Sequence, residues 1–210
     1  MLSSLQQQLG RTLRAIADVP DEQLADALAI FRPLRLKKDE LFVGAGDVPT
    51  HLGFLASGLL RMYYLSEDGV EYTKSFCLEN TFVAAYSALL LAEASRMSIQ
   101  ALEDSTLLVA GYHEYQALAG RHCCWHVVNM RIAQFLFIKK ERRESELLLD
   151  DAQTRYLTFL AEHPGLEPRL KQHQIAAYLG ITPVSLSRIR ARLKASARAG
   201  AADQGSGVGD

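Results

Sequence analysis

The stretch LKQHQIAAYLGITPVSLSRIRARL, residues 170–193, decides how this chain is read. Its first half predicts a helix over Lys171–Leu179, with Ile175, Ala176 and Leu179 turned inward at helical spacing. Gly180 can take the left-handed backbone that a tight turn between helices requires. Thr182 is a good N-cap, and Pro183 suits the first helical position, where its missing N–H costs nothing. A second helix then runs from Pro183 to about Lys194, burying Leu186, Ile189 and Leu193. Its other edge carries Ser185, Ser187, Arg188, Arg190, Arg192 and Lys194. Small hydroxyls at a helix start with arginines behind them suit docking in a DNA major groove. The plainer reading of the same residues is a helical hairpin with a solvated basic face.

Charge supports the first reading. Residues 155–194 hold seven Lys/Arg and two Asp/Glu, whereas residues 1–154 hold fifteen against twenty. A basic block on an acidic body points to a nucleic-acid partner at that end. The whole chain, 49% apolar and 22% charged, is ordinary for a globular protein, and no apolar run reaches membrane-spanning length. The N-terminal MLSSLQQQLGRTLRAIADV lacks the basic-then-apolar layout of a secretory signal, so a cytoplasmic address without membrane contact is expected. The cysteines Cys77, Cys123 and Cys124 make no disulfide framework and are expected reduced.

Upstream, Leu2, Leu5, Leu9, Leu13 and Ile16 recur at helical steps, and Pro20-Asp21 restarts a second helix towards Phe31. From Leu34 to Gly111 the chain breaks into short apolar runs (41–43, 51–57, 59–65, 70–78, 97–102 and 106–111) separated by Gly, Asp and Ser. That spacing predicts an antiparallel barrel or sandwich, interrupted at SALLLAE (87–93) by one or two helical turns. A short helix (113–119) precedes a long one bearing Trp125, Val128, Ile132, Phe135 and Leu136. Such an edge pairs with a copy of itself, or packs its early turns on its own barrel. Asp150-Asp151 is the expected hinge before a helix over 152–163, which Pro164 and Gly165 stop. The expected parts are a sensory barrel with its helices (1–120), a dimerisation helix (121–149), a helix-turn-helix domain (150–195) and a disordered tail (196–210).

The order of these parts resembles the Crp/Fnr family of bacterial transcription regulators. In the barrel the resemblance rests on GAGDVPTHLGFLASGLLR (44–61), EDGVEY (67–72) and ALEDSTLLV (101–109). It implies an α+β chain: an N-terminal antiparallel β jelly-roll barrel like a cyclic-nucleotide-binding domain, a long dimerisation helix and a C-terminal all-α helix-turn-helix domain. It also implies a homodimer through 121–149 on a palindromic double-stranded DNA site, with RNA polymerase as a further partner. Arg188 keeps the position of a guanine-reading arginine. Val184 stands where well-known members place a base-reading Glu, so with Pro183 it can meet a thymine methyl but accept no hydrogen bond from cytosine. Phosphate contacts are expected from Lys171, His173, Thr182, Ser185, Arg190 and Arg192, with Ser187 on the same face. No hairpin pattern follows Leu193, so the family's usual wing is not expected here.

Nucleotide-binding members of that family hold the cyclic phosphate and ribose with a Phe-x-Gly-Glu start, a short helix and a downstream Arg. Here the start reads Phe82-Val83-Ala84-Ala85, so Ala85 replaces the ribose carboxylate. Ser95 or Arg96 falls at the arginine position, according to a one-residue choice of gap. A buried phosphate without a cation or oriented amides is costly, so cyclic AMP is not the expected effector and no cofactor is expected. Phe82, Val83, Ala84, Ala85, Tyr86, Leu89, Ser95 and Arg96 are the candidate pocket, for an apolar ligand or filled core.

His122-Cys-Cys-Trp-His126 places two histidines at i and i+4 with Cys123 between them, a spacing open to a metal or haem. It equally suits the start of a dimer helix, and no metal is assigned. No phosphate loop or nucleophile elbow occurs, and His51 alone cannot make a metal-dependent barrel enzyme, so no enzymatic activity is expected. The rival reading is a small-molecule sensor or protein-interaction module without specific DNA binding.

Overall fold

The computed structural model describes residues 3–204, with side chains as far as Ser196; Leu2 and residues 205–210 of the expected tail lie outside the described residues. Two compact units divide within one continuous helix, at Arg142/Arg143.

The first unit opens with α1 (Ser4–Ile16), α2 (Asp21–Ile30) and then eight strands. Ser3 starts α1 with a reciprocal cap, its Oγ accepting the Gln6 N–H and its own N–H donating to Gln6 Oε1. The strands are β1 (Arg32–Leu36), β2 (Leu41–Val43), β3 (His51–Ser57), β4 (Leu60–Leu65), β5 (Glu71–Cys77), β6 (Thr81–Val83), β7 (Met97–Ala101) and β8 (Ser105–Gly111). They form two four-stranded sheets, ordered β1-β8-β3-β6 and β2-β7-β4-β5, and every pairing is antiparallel. This order is a jelly roll. Each expected run is a strand. The sheet begins earlier than expected, at Arg32, and β6 lies between the runs 70–78 and 97–102, where no strand was expected.

Packing explains why β3, HLGFLAS, shows no clean alternation. Leu55 and Leu107 face the space between the sheets with Leu60, Val83, Ile99 and Ala101. Phe54 and Leu108, their neighbours in sequence, face outward into a second core with Leu9, Leu13, Leu28, Leu118 and Trp125. A strand covered on both faces reads as a continuous apolar run. Gly58 makes the tight β3–β4 connection at φ +103°, and a Cβ there would lie 2.7 Å from the Ser105 Cα. No side chain fits that approach.

Between β6 and β7 lies α3 (Tyr86–Leu91), the helical interruption expected, closed by Ala92 in left-handed backbone. After β8 come α4 (Tyr112–Ala119) and α5 (Cys124–Leu149). The early turns of α5 bury Cys124, Trp125 and Val128 in the helical layer. There Trp125 Nε1 donates to Gln23 Oε1 (3.1 Å) and Tyr115 Oη donates to Asn129 Oδ1 (2.8 Å).

The second unit, from Arg143 on, contains the end of α5, α6 (Ala152–Glu162), a 3-10 turn (Glu167–Arg169), α7 (Gln172–Leu179) and α8 (Pro183–Gln204). Tyr156, Phe159, Leu166, Ile175, Ala176, Tyr178, Leu179, Leu186 and Ile189 are its buried apolar side chains among the described residues. Helix α8 continues through Gln204, past the expected stop near Lys194. The segment ASARAGAADQ lacks large apolar groups but is rich in alanine, the strongest helix former, and it follows an established helix without a proline or cap to stop it.

Candidate functional site

The helix-turn-helix forms as the sequence implies. Gly180 closes α7 at φ 71°, ψ 34°, with its N–H donating to Ala176 O. Ile181 N–H donates to the same carbonyl (3.0 Å), so the turn satisfies the exposed end of α7. Thr182 caps α8: its Oγ1 accepts the Ser185 N–H (3.2 Å) and lies 3.0 Å from Ser185 Oγ. Gln172 Nε2 donates to Pro183 O (2.7 Å) and Ser187 Oγ (2.6 Å), tying the start of α7 to the first turn of α8. Gln172 was no candidate in the sequence, where a glutamine at a helix start carries no distinctive signal.

The cations of this unit divide into two sets. Arg143 donates to Tyr178 O, stacks 4.1 Å from the centroid of the Tyr178 ring and pairs with Glu146 (2.8 Å). Arg155 bridges Asp150 O (2.6 Å) and Leu179 O (3.1 Å). Arg190 pairs with Glu167 (2.6 Å) and donates from Nε to Tyr156 Oη (3.1 Å). By contrast, the side chains of Lys171, His173, Arg188 and Arg192 are exposed and make no hydrogen bond or ion pair among the described residues. Val184, beside Arg188 on α8, is 60% exposed, and Pro183 and Ser187 are exposed with it.

Arg190, expected with the phosphate-contacting residues, is thus engaged within the unit, unlike Arg188 and Arg192. On a helix of 3.6 residues per turn it sits about 200° from Arg188, whereas Arg192 sits about 40° away. Counting by turns along SRIRARL carries that signal; grouping the arginines by type hides it.

In the barrel, the candidate pocket residues separate. Val83 and Ala85 are buried between the sheets. Phe82, Ala84 and Leu89 face the helical layer instead, with the Phe82 ring 5.5 Å from that of Phe54. Tyr86 opens α3 and is half-buried. A depression of about 670 Å³ is lined by Ala85, Ser95 and Arg96 together with Tyr64, Lys74 and Met97, among others. Ser95 is buried and locally engaged: its Oγ donates to Met97 O (2.7 Å) and accepts the Met97 N–H (3.2 Å). It holds the turn into β7, while Arg96 is exposed. Tyr64 and Lys74 were absent from the sequence candidates, because only the sheet register shows which way they face.

At the start of α5, His122 Nδ1 accepts the Cys124 N–H (3.1 Å) and so acts as a helix cap. Among the described residues no group of three or more His, Cys, Asp or Glu could hold a metal ion. Farther along, Met130, Phe135, Leu136, Phe137 and Ile138 are exposed large apolar side chains, Phe137 to 67%. No helix among the described residues is long and apolar enough to cross a membrane.

Residues 33–122 match the cyclic nucleotide-binding domain family. No curated protein sequence matches the chain significantly. Among solved structures, the chain is similar to the catabolite activator protein of Thermus thermophilus (25% identity, TM-score 0.53, covering 89% of this chain and 88% of that one). It is also similar to FixK2 of Bradyrhizobium japonicum (20% identity, TM-score 0.67, 80% and 86%). A third is CLP of Xanthomonas campestris, a global regulator responsive to c-di-GMP (17% identity, TM-score 0.67, 85% and 93%). The jelly roll, the long helix and the capped helix-turn-helix account for likeness at this coverage. Residues 33–122 thus match the cyclic nucleotide-binding domain family, and the chain as a whole has the fold of Crp/Fnr-type regulators.

Proposed function

We propose that this protein is a homodimeric, sequence-specific DNA-binding transcription regulator of the Crp/Fnr type, acting in the cytoplasm. One observation carries the reading. In the second unit the arginines on the packed side are all engaged, while Arg188, Arg192, Lys171 and His173 stay exposed and unpaired among the described residues. Unpaired cations beside a capped helix start suit a polyanion that contributes the missing charge.

In this reading α8 enters the major groove with Val184 and Arg188 at base edges. Arg192, Lys171 and His173 meet phosphates. Thr182 and Ser185 hold the first turn and present its N-terminal amides. The exposed apolar residues of α5, Phe135 to Ile138, bury against a second copy of the helix, which places two reading helices on one duplex. RNA polymerase is the partner such a bound regulator would address. With Ala85 in place of a ribose carboxylate, the effector is not cyclic AMP.

Selection of the full-length protein on a randomised duplex library tests this. The expected outcome is a palindrome with half-sites about one helical turn, ~10 base pairs, apart. Enrichment of no common sequence would overturn the DNA-reading proposal and favour a protein-directed sensor.

A further inference from the structure

We infer that Gln172 is a positioning residue of the reading helix: its amide turns the Ser187 hydroxyl outward as a hydrogen-bond donor only. The inference rests on reading α8 as the DNA-reading helix proposed above, and it names what that helix requires at one base pair.

The amide is the first argument. A glutamine side chain can be turned either way, and only its partners fix which end is nitrogen. Pro183 O, 2.7 Å away, is a carbonyl and can only accept, so the nitrogen faces it. The same Nε2 lies 2.6 Å from Ser187 Oγ, with one hydrogen left to give and no lone pair to offer. Ser187 Oγ therefore accepts, and its own hydrogen has to point elsewhere.

The helix is the second argument. A serine inside a helix commonly donates its hydroxyl to the carbonyl four residues back, here Pro183 O. That oxygen has two lone pairs. Regular α-helical bonding gives one to the Ser187 N–H, and Gln172 takes the other. The usual inward acceptor is thus filled. Among the described residues the Ser187 side chain makes no other hydrogen bond, so its O–H is left for solvent or a ligand.

Position is the third argument. Ser187 is exposed, a helical neighbour of Val184 three residues back and adjacent in sequence to Arg188, the two residues proposed at base edges. A serine that rotates freely can donate or accept, and so separates bases poorly. Held as a donor, it selects an acceptor in the major groove: guanine N7 or O6, adenine N7 or thymine O4. Cytosine presents only its N4 amino donor there and is refused. Gln172 thereby gives sequence preference to a residue type that otherwise carries little.

The test compares full-length variants on the selected DNA site and on its single-base variants by fluorescence anisotropy. In Gln172→Ala the Ser187 hydroxyl rotates again, so discrimination against cytosine at one base pair per half-site should fall about three- to tenfold. Preferences at other positions, including the one assigned to Arg188, should stay. Gln172→Glu replaces the donor by acceptors for the Ser187 O–H, so preference at that pair should shift toward cytosine. In a Ser187→Ala background, Gln172→Ala should change nothing further, an outcome that a role in helix stability alone would not produce. An equal loss on every sequence, no change at any base pair, or a full Gln172→Ala effect without the serine would overturn the inference and leave the DNA-reading proposal standing. A library selection that enriches no common sequence would overturn the DNA-reading proposal, and this inference with it.

Discussion

The guanidinium of Arg190 lies 2.6 Å from the carboxylate of Glu167, while Arg188, two residues earlier on the same helix, has no partner among the described residues. Tyr156 Oη completes the cluster, donating to Glu167 Oε1 at 2.5 Å. Two arginines of one helix thus serve different ends. Arg190 joins α8 to α6 and the 3-10 turn, and Arg188 remains available to a ligand.

Substitution should separate these roles. Arg190→Met should cost about 1–2 kcal/mol of stability, since it removes a partly buried charged hydrogen-bond pair. It should leave the salt dependence of DNA binding unchanged. Arg192→Met should do the reverse, lowering the slope of log K against log salt by about 0.9 with little change in melting temperature. Thermal melts and salt titrations of both variants check this, and equal salt slopes would argue against the partition.

The turn between α7 and α8 makes a second prediction. Gly180 sits at φ +71°, and a Cβ there would meet only Leu147 Cδ2, at 3.7 Å, so space is open and the strain is in the backbone. Gly180→Ala should cost about 1 kcal/mol, and Gly180→Asn less, because asparagine tolerates the left-handed region better. Thr182→Ala, which removes the cap of α8, should cost about 1 kcal/mol. Urea denaturation of the three variants gives the ranking.

Acid should weaken the second unit through Asp151. Its carboxylate accepts the Thr154 N–H (2.7 Å), and that backbone bond, first among the causes, holds its pKa below the usual carboxylate value. A group with a depressed folded pKa adds stability above its unfolded pKa and loses it as pH falls through the folded one. Asp151→Asn should therefore lie below the parent in melting temperature at neutral pH and approach it under strong acid. A constant offset at every pH would contradict this.

The exposed apolar segment of α5 predicts assembly. Phe137, 67% exposed, should become a charged obstacle in Phe137→Glu. Sedimentation should shift the species from dimer to monomer, with DNA affinity falling in parallel. An unchanged sedimentation coefficient would place the dimer contact elsewhere.

Much of this architecture was legible in the sequence, and the exceptions share a cause. Gly180, Thr182 and Pro183 act through local backbone chemistry, so their pattern alone placed the turn and cap. The strand runs were visible for the same reason. Strand β6 and the facing of Phe82 and Leu89 were not, because a segment covered on both sides shows no period. The Arg190–Glu167 pair was not legible, because the carboxylate comes from a separate turn. Local signals survive in sequence, and registers and long-range partners do not.

The central claim is that the free arginines of α8 read DNA. The most direct measurement is the affinity of Arg188→Ala for the selected site and for every single-base variant of it. The account predicts lost discrimination at one base pair in each half-site, worth about 1–3 kcal/mol, with preference elsewhere retained. A uniform loss across all variants, or none at all, would contradict it.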